Sequence, residues 1–169
     1  VQTCALPIYK EEQWVRTQPG ITIDDLNRQL KSYGLFFTSD PSTSSRANIG
    51  GAMGNNSCGA HSIVYGKTVD HVQEMNVVLS DGSQTVFQEL SSGVLDSKLK
   101  SGSLEGDIYN KLAGIAQNAA SLVEERFPKI LRRVGGYNLD LVQNPEHLNL
   151  AKITVGSEGT LVAVTSAKL

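Results

Sequence analysis

The sequence predicts an α+β fold, a mostly antiparallel sheet with flanking helices, on three observations. Strand-like and helix-like segments do not alternate in regular βαβ units, a hairpin turn signal (Ser80-Asp81-Gly82) joins two candidate strands, and a long amphipathic helix stands apart from them.

Each element has its own local reason. Glu12 to Gln18 reads as a short strand in which Trp14 alternates with polar neighbours, and Pro19-Gly20 closes it with a turn. Thr22 is placed to cap a helix, with the Asp25 carboxylate near the positive end of the helix dipole. Leu26, Leu30 and Tyr33 recur at helical spacing as a core stripe, and Gly34 suits the stop. Leu35-Phe36-Phe37 then leads into the stretch Asp40 to Gly59, DPSTSSRANIGGAMGNNSCG, where a short helix is expected from about Ile49. After a turn at Tyr65-Gly66, His71 to Leu79 and Gln84 to Leu90 form the two arms of the hairpin. Ser91 to Gly106 is polar and aperiodic and is expected to be an exposed excursion. Asp107 to Phe127 is the clearest helix. Ile108, Leu112, Ile115, Ala116, Ala119, Leu122, Val123 and Phe127 hold one face, destined for the core or for another part of the protein, and Pro128 follows. Leu148 to Val155 is apolar and of ambiguous type, and Thr160 to Leu169 alternates as a closing strand.

Composition narrows the function classes. The 169 residues suffice for one domain with a real core, and 40% apolar with 19% charged residues is ordinary for a soluble chain. Net charge is −2, and the 15 Lys and Arg are scattered, which excludes a basic footprint for nucleic acid. There is no apolar run of membrane-spanning length and no signal-peptide pattern at the start, so a cytoplasmic protein is expected. The two cysteines, Cys4 and Cys58, fit neither a disulfide framework nor a CxxC site. The three histidines, His61, His71 and His147, lack HExxH spacing, so a metal site is not expected. With no initiating Met and an end inside the closing strand, the chain reads as a fragment. Residues 1–8 do not continue into the first strand and are set aside as a non-native leader, which removes Cys4 from consideration. That leaves 9–169 as a partial domain, with its excursion and long helix over about 91–131.

The stretch from Asp40 to Gly59 carries the functional signal. Gly50, Gly51, Gly54 and Gly59 stand among Ser and Asn with almost no charge, so backbone N–H groups can approach an anion. The first unpaired N–H groups of a short helix from Ile49 would add a positive pole. A surface loop without a ligand remains the alternative on composition alone. The pattern is neither GxGxxG between strand and helix nor a Walker loop, and it has an echo in GSEGT at Gly156 to Thr160.

Taken together, ANIGGAMGNNSCG, YGKTVDHV, VVLSDG, GGYNLDLV and GSEGTLVAVTSAKL, in this order, resemble the FAD-linked oxidoreductases of the vanillyl-alcohol oxidase type. The likeness spans Gln13 to Leu169. It points to the branch with glycolate oxidase, D-lactate dehydrogenase and D-2-hydroxyglutarate dehydrogenase, and to its large bacterial members with an iron–sulfur domain. The resemblance implies that this chain is the second subdomain of a PCMH-type FAD-binding domain, with the first subdomain's pyrophosphate loop, the substrate domain and any iron–sulfur cluster outside it. It implies cofactor contacts from Pro41, Ser42, Gly50, Gly51, Asn55, Asn56 and Ser57, and a closing segment with Gly156, Glu158, Gly159 and Val164. The implied activity is oxidation of a D-2-hydroxy acid to the 2-oxo acid, with electrons passing to an external or iron–sulfur acceptor, which would allow peripheral contact with a membrane. The alternatives are another flavoenzyme of the same fold, of the aldonolactone oxidase or enolpyruvyl reductase type, and a truncated non-catalytic nucleotide-binding module.

The sequence departs from the family's TNAGG by reading NNSCG, which places Cys58 at a glycine position and raises an expectation of backbone strain there. Cys58 is read as a small packing residue, with covalent flavin attachment as the alternative. His61 is expected to be solvated or bonded to backbone, with contact to substrate or flavin as the alternative; His71 is expected at a strand start in a structural role. Tyr65 and Tyr137 are expected to pack in the core, with lining of the ligand space as the alternative. Glu158 is expected to serve the backbone of its own turn. No residue of the chain is assigned as a general base.

Overall fold

The structure, a computed structural model, describes residues 5–144 and 148–169. Cys4 and His147 lie outside the described residues.

A five-stranded sheet is built from β1 (Ala5–Tyr9), β2 (Trp14–Thr17), β3 (Glu74–Val78), β4 (Gln84–Gln88) and β5 (Ala163–Lys168). The spatial order is β1-β2-β5-β3-β4, and every neighbouring pair is antiparallel. The closing strand of the sequence therefore occupies the centre and joins the first half of the chain to the hairpin. Residues Ala5 to Ile8, set aside on sequence, lie in β1, which pairs with β2 through Ala5↔Thr17 and Ile8↔Val15. The strand pattern thus extends upstream of Glu12.

The sheet is covered on one face. Met75 and Val77 of β3 are buried while their neighbours are half-buried, the alternation expected of a strand with one covered face. Onto that face pack α1 (Ile23–Leu30) and α2 (Ile49–Gly54), followed, after the short α3 (Ser62–Tyr65), by α4 (Thr68–His71) and α7 (Leu150–Thr154). In α1, Thr22 accepts from the Asp25 amide at 3.1 Å and donates to its carboxylate at 2.8 Å, while Ile23, Leu26 and Leu30 are buried. Gly34, at φ 72°, ends the following 3-10 turn as expected, whereas Tyr33 faces outward.

Three expectations are corrected. The segment after Ser91 is not a bare excursion: it forms α5 (Ser92–Leu99), which packs on the long helix α6 (Leu104–Arg126) through Lys98–Glu105 at 2.5 Å. The face of α6 is divided, because Tyr109, Ala116 and Val123 are buried while Ile115 and Leu122 remain about half exposed. His71 ends helix α4 instead of starting a strand, with Nε2 between Thr38 Oγ1 at 2.6 Å and Tyr65 O at 2.8 Å. The ambiguous apolar segment before Gly156 is helical, as α7. No described helix is long and apolar enough to cross a membrane.

Candidate functional site

Helix α2 is gripped at both ends by the rest of the fold. At its start, Ile49 N donates to Ile21 O (2.9 Å), Gly50 N to Pro19 O (2.8 Å) and Gly51 N to Asn48 Oδ1 (2.6 Å). The expected pole of unpaired amides is therefore absent: the first three N–H groups are all engaged. Gly50 is explained by this grip, since a Cβ there would lie 2.8 Å from Pro19 Cβ and 3.1 Å from Pro19 O.

At the far end, the GSEG turn supplies the partners. Gly156 N donates to Met53 O at 2.8 Å and Glu158 N to Gly54 O at 2.9 Å, satisfying carbonyls that a helix end leaves open. The turn takes left-handed backbone at Gly156, Glu158 and Gly159 (φ 88°, 52° and 76°). The two glycine-rich segments, remote in sequence, are thus docked directly on one another.

Between them the chain reverses at Asn56. Its φ is 52°, its Oδ1 accepts from Val69 N at 3.0 Å, and its buried Nδ2 has no partner among the described residues. Asn tolerates this left-handed backbone better than most residues. The non-glycine residues with positive φ among those described are Gln13, Asn56 and Glu158, so the strain expected at Cys58 is not found there; the reversal falls on Asn56 instead.

These elements border a cleft of about 660 Å³. Of the candidate residues, Pro41, Gly51, Asn55, Asn56, Ser57 and Glu158 line it, joined by Thr43, Arg46, Asn48, Cys58, Val134 and Gly135. Gly50, Gly159 and Val164 line a separate hollow of about 170 Å³ with Pro19, Met53 and Met75. Ser42 is exposed beside Pro41, and Gly156 is buried, where an added Cβ would meet Gly136 O at 3.3 Å and Asn56 Cβ at 3.6 Å. Tyr65 and Tyr137 line neither space and are not core residues. Both are more than two-fifths exposed, Tyr65 edge-on to Phe36 and Tyr137 with its hydroxyl 2.9 Å from Thr160 Oγ1. Glu158 does not serve its own turn as expected: its main-chain amide donates to Gly54 O at the end of α2, while its side chain stands exposed at the cleft.

The floor of the cleft is held by polar contacts. Ser39 Oγ and Thr68 Oγ1 both donate to Ser57 O, at 3.0 and 2.8 Å. Gly59 packs so closely on Asp40 that a Cβ would fall 2.0 Å from Oδ1 and 2.2 Å from the carbonyl oxygen. The Asp40 carboxylate pairs with His61 Nδ1 and accepts from the His61 amide at 3.3 Å, so His61 is carboxylate-bound and not merely solvated. Burial of Asp40 opposes its ionisation, but these hydrogen bonds and the His61 charge outweigh it and leave its pKa below the ordinary carboxylate value. Arg132 donates to Gly59 O and ties the segment after α6 to the same loop.

Sequence reasoning passed over Arg46, although it is the single charged residue between Pro41 and Gly59 and so had a visible signal. Val134 and Gly135 had none, because only the tertiary fold brings them to the cleft.

The residues present fit the polar part of a flavin nucleotide. Asn56 brings a buried donor without a partner, and Arg46 a cation. Gly51 is open toward the cleft, since a Cβ there would meet only Asn48 Oδ1 within close range, at 3.1 Å. In this α+β chain two glycine-bearing segments thus meet beside one cleft. Residues 5–88 match the model of a family described as FAD binding domain.

Among curated proteins it is 39% identical over 166 residues to D-2-hydroxyglutarate dehydrogenase of Escherichia coli (strain K12), covering 97% of this chain and 16% of that protein. It is 38% identical over 165 residues to the enzyme of the same name from Pseudomonas putida, again covering 97% of this chain and 16% of the relative. The glycolate oxidase protein GlcD of Bacillus subtilis is 39% identical over 77 residues, 46% of this chain and 16% of that protein. A solved structure of alkyldihydroxyacetonephosphate synthase superposes with a TM-score of 0.57 at 19% identity, covering 98% of this chain and 20% of the other, and establishes the shared fold. The chain thus spans about 16% of the length of the D-2-hydroxyglutarate dehydrogenases it matches. The family and fold class expected from the motifs are borne out.

Proposed function

We propose that this chain forms one wall of the FAD site in a longer dehydrogenase that oxidises a D-2-hydroxy acid, of the 2-hydroxyglutarate class, to its 2-oxo acid. The observation that carries the reading is the cleft itself. The loop from Pro41 to Cys58 and the Glu158 turn meet there around a buried, unpartnered amide donor, in a chain aligned along 97% of its length with D-2-hydroxyglutarate dehydrogenases. FAD, when bound, supplies the two-electron acceptor for such chemistry. This chain's part is to bind and orient it. Gly51 offers close approach of the main chain; Asn55, Asn56 and Ser57 offer short polar side chains; and Glu158 offers a carboxylate suited to accepting from hydroxyl groups. Gly50 and Gly156 act behind this surface by fixing α2 and its capping turn, Gly159 and Val164 line the hollow beside α2, and Ser42 flanks Pro41 at the rim.

The remaining parts of such an enzyme are proposed to lie in flanking sequence: the other wall of the flavin site, the substrate domain, and the route to an external or iron–sulfur electron acceptor, in a cytoplasmic enzyme or one at a membrane periphery. The test is flavin content. The chain would be purified alone and together with its flanking coding sequence, and visible absorbance recorded before and after acid precipitation. Acid-released FAD in the longer protein, bleached anaerobically by D-2-hydroxyglutarate, is the expected result. Absence of flavin from both would refute the reading, and bleaching by D-lactate or glycolate alone would move the substrate within its class.

A further inference from the structure

Resting on the FAD reading above, we infer that Arg46 is the cation this chain contributes to the cofactor's diphosphate. Three observations converge on it. First, the amides at the start of α2 are already committed to Ile21 O, Pro19 O and Asn48 Oδ1, so this helix has no free donors there with which to offset a doubly anionic group. Second, the charged residues lining the cleft, among those described, are Arg46 and Glu158, so Arg46 supplies its positive charge. Third, the Arg46 side chain makes no ion pair or hydrogen bond with the described residues, and its loop is shaped by main-chain bonds, Arg46 N and Ala47 N both donating to Thr43 O at 2.8 Å. The side chain is therefore exposed, unspent and presented by an ordered turn.

A guanidinium is suited to the task, because its planar fork donates in parallel to two phosphate oxygens and keeps its charge at every relevant pH. Phosphate-free flavins gain nothing from it. Arg46 accordingly sets a preference for FAD over riboflavin, whereas residues under the rings would affect both alike.

The experiment is an equilibrium titration of the apo-protein, expressed with its flanking coding sequence, using FAD and riboflavin in parallel and flavin fluorescence as the readout. Wild type would be compared with Arg46→Met and Arg46→Lys at low and high salt. We expect Arg46→Met to weaken FAD about 10- to 100-fold, in the range of a charge-assisted hydrogen bond, with riboflavin affinity unchanged. Arg46→Lys should recover part of the loss, and added salt should weaken FAD binding more in wild type than in Arg46→Met. Unchanged FAD affinity, or an equal loss for FAD and riboflavin, would overturn the assignment. A wild-type protein that binds neither flavin would overturn the FAD reading itself, and this inference with it. Because Arg46 is exposed and makes no side-chain contact among the described residues, an unchanged melting temperature is expected of both variants and checks that the fold is intact.

Discussion

Gly59→Ala tests the packing that holds the cleft floor. A Cβ at this position would sit 2.0 Å from Asp40 Oδ1 and 2.2 Å from Asp40 O. The carboxylate can swing away, but the carbonyl cannot without moving the main chain that leads into Pro41. Relief therefore requires a shift of about 1 Å or more, which separates Asp40 from His61 and Gly59 O from Arg132. Overpacking of this kind costs about 1–3 kcal/mol, and the charge-assisted hydrogen bonds put at risk place this case toward the upper end. For a chain of this size a loss of about 2 kcal/mol lowers the melting temperature by roughly 4–8 °C. Thermal and urea unfolding of the chain, followed by far-UV circular dichroism, would measure it. The control is Gly114→Ala in the middle of α6, where an added Cβ meets nothing within 4 Å and helix propensity favours Ala by about 0.8–1 kcal/mol. The two substitutions are chemically identical and should have opposite signs. A Gly59→Ala loss below about 0.5 kcal/mol would refute the claim that Asp40 and Gly59 are locked together.

Two further outcomes follow from the same geometry. Glu158 holds a left-handed backbone at φ 52°, so Glu158→Gly should raise stability by up to about 1 kcal/mol while Glu158→Val lowers it; the order of melting temperatures checks this. The pKa of Asp40 is depressed relative to the unfolded chain, so its contribution to stability is fully present above the unfolded value of about 3.9 and is lost as pH falls through the lower folded value. His61→Ala should destabilise the chain at neutral pH and converge with wild type in acid. A stability difference that stays constant from about pH 7 to below about pH 3 would show that the pair carries none of this pH dependence.

Much of the frame was legible because its signals are local. Thr22 and Asp25 are three residues apart and cap each other; Ser80-Asp81-Gly82 closes a hairpin whose register runs Glu74↔Gln88 to Val78↔Gln84. What the sequence hid depends on distant partners. Helix α5 has little apolar periodicity of its own and is held against α6, where Gly106 sits so close to Lys98 O that a Cβ would lie 2.4 Å away. β1 is legible only as the pair of β2, with Tyr9 stacked on Trp14 at 3.9 Å. At the site, glycines read as ligand-facing divide into two kinds. Gly51 opens toward the cleft, whereas Gly50 and Gly59 make room for Pro19 and Asp40. Nothing in the local pattern IGGAMGNNSCG separates these kinds, because the atoms that decide lie many residues away.

That division bears on how the cleft works. Helix α2 is only six residues long, too short to persist on its own propensity, and it stands because residues 19–21 bind its amides and the turn at 156–158 binds its carbonyls. The cleft-facing atoms of Gly51, Asn55 and Asn56 are therefore positioned by the protein before any ligand arrives. Such an arrangement lowers the ordering cost of binding. It also means that the loop has spent its helix-start amides on its own support, so they offer nothing to a doubly charged ligand. Among the described residues that line the cleft, Arg46 carries the positive charge, and the side-chain amide of Asn56 is a buried donor without a partner.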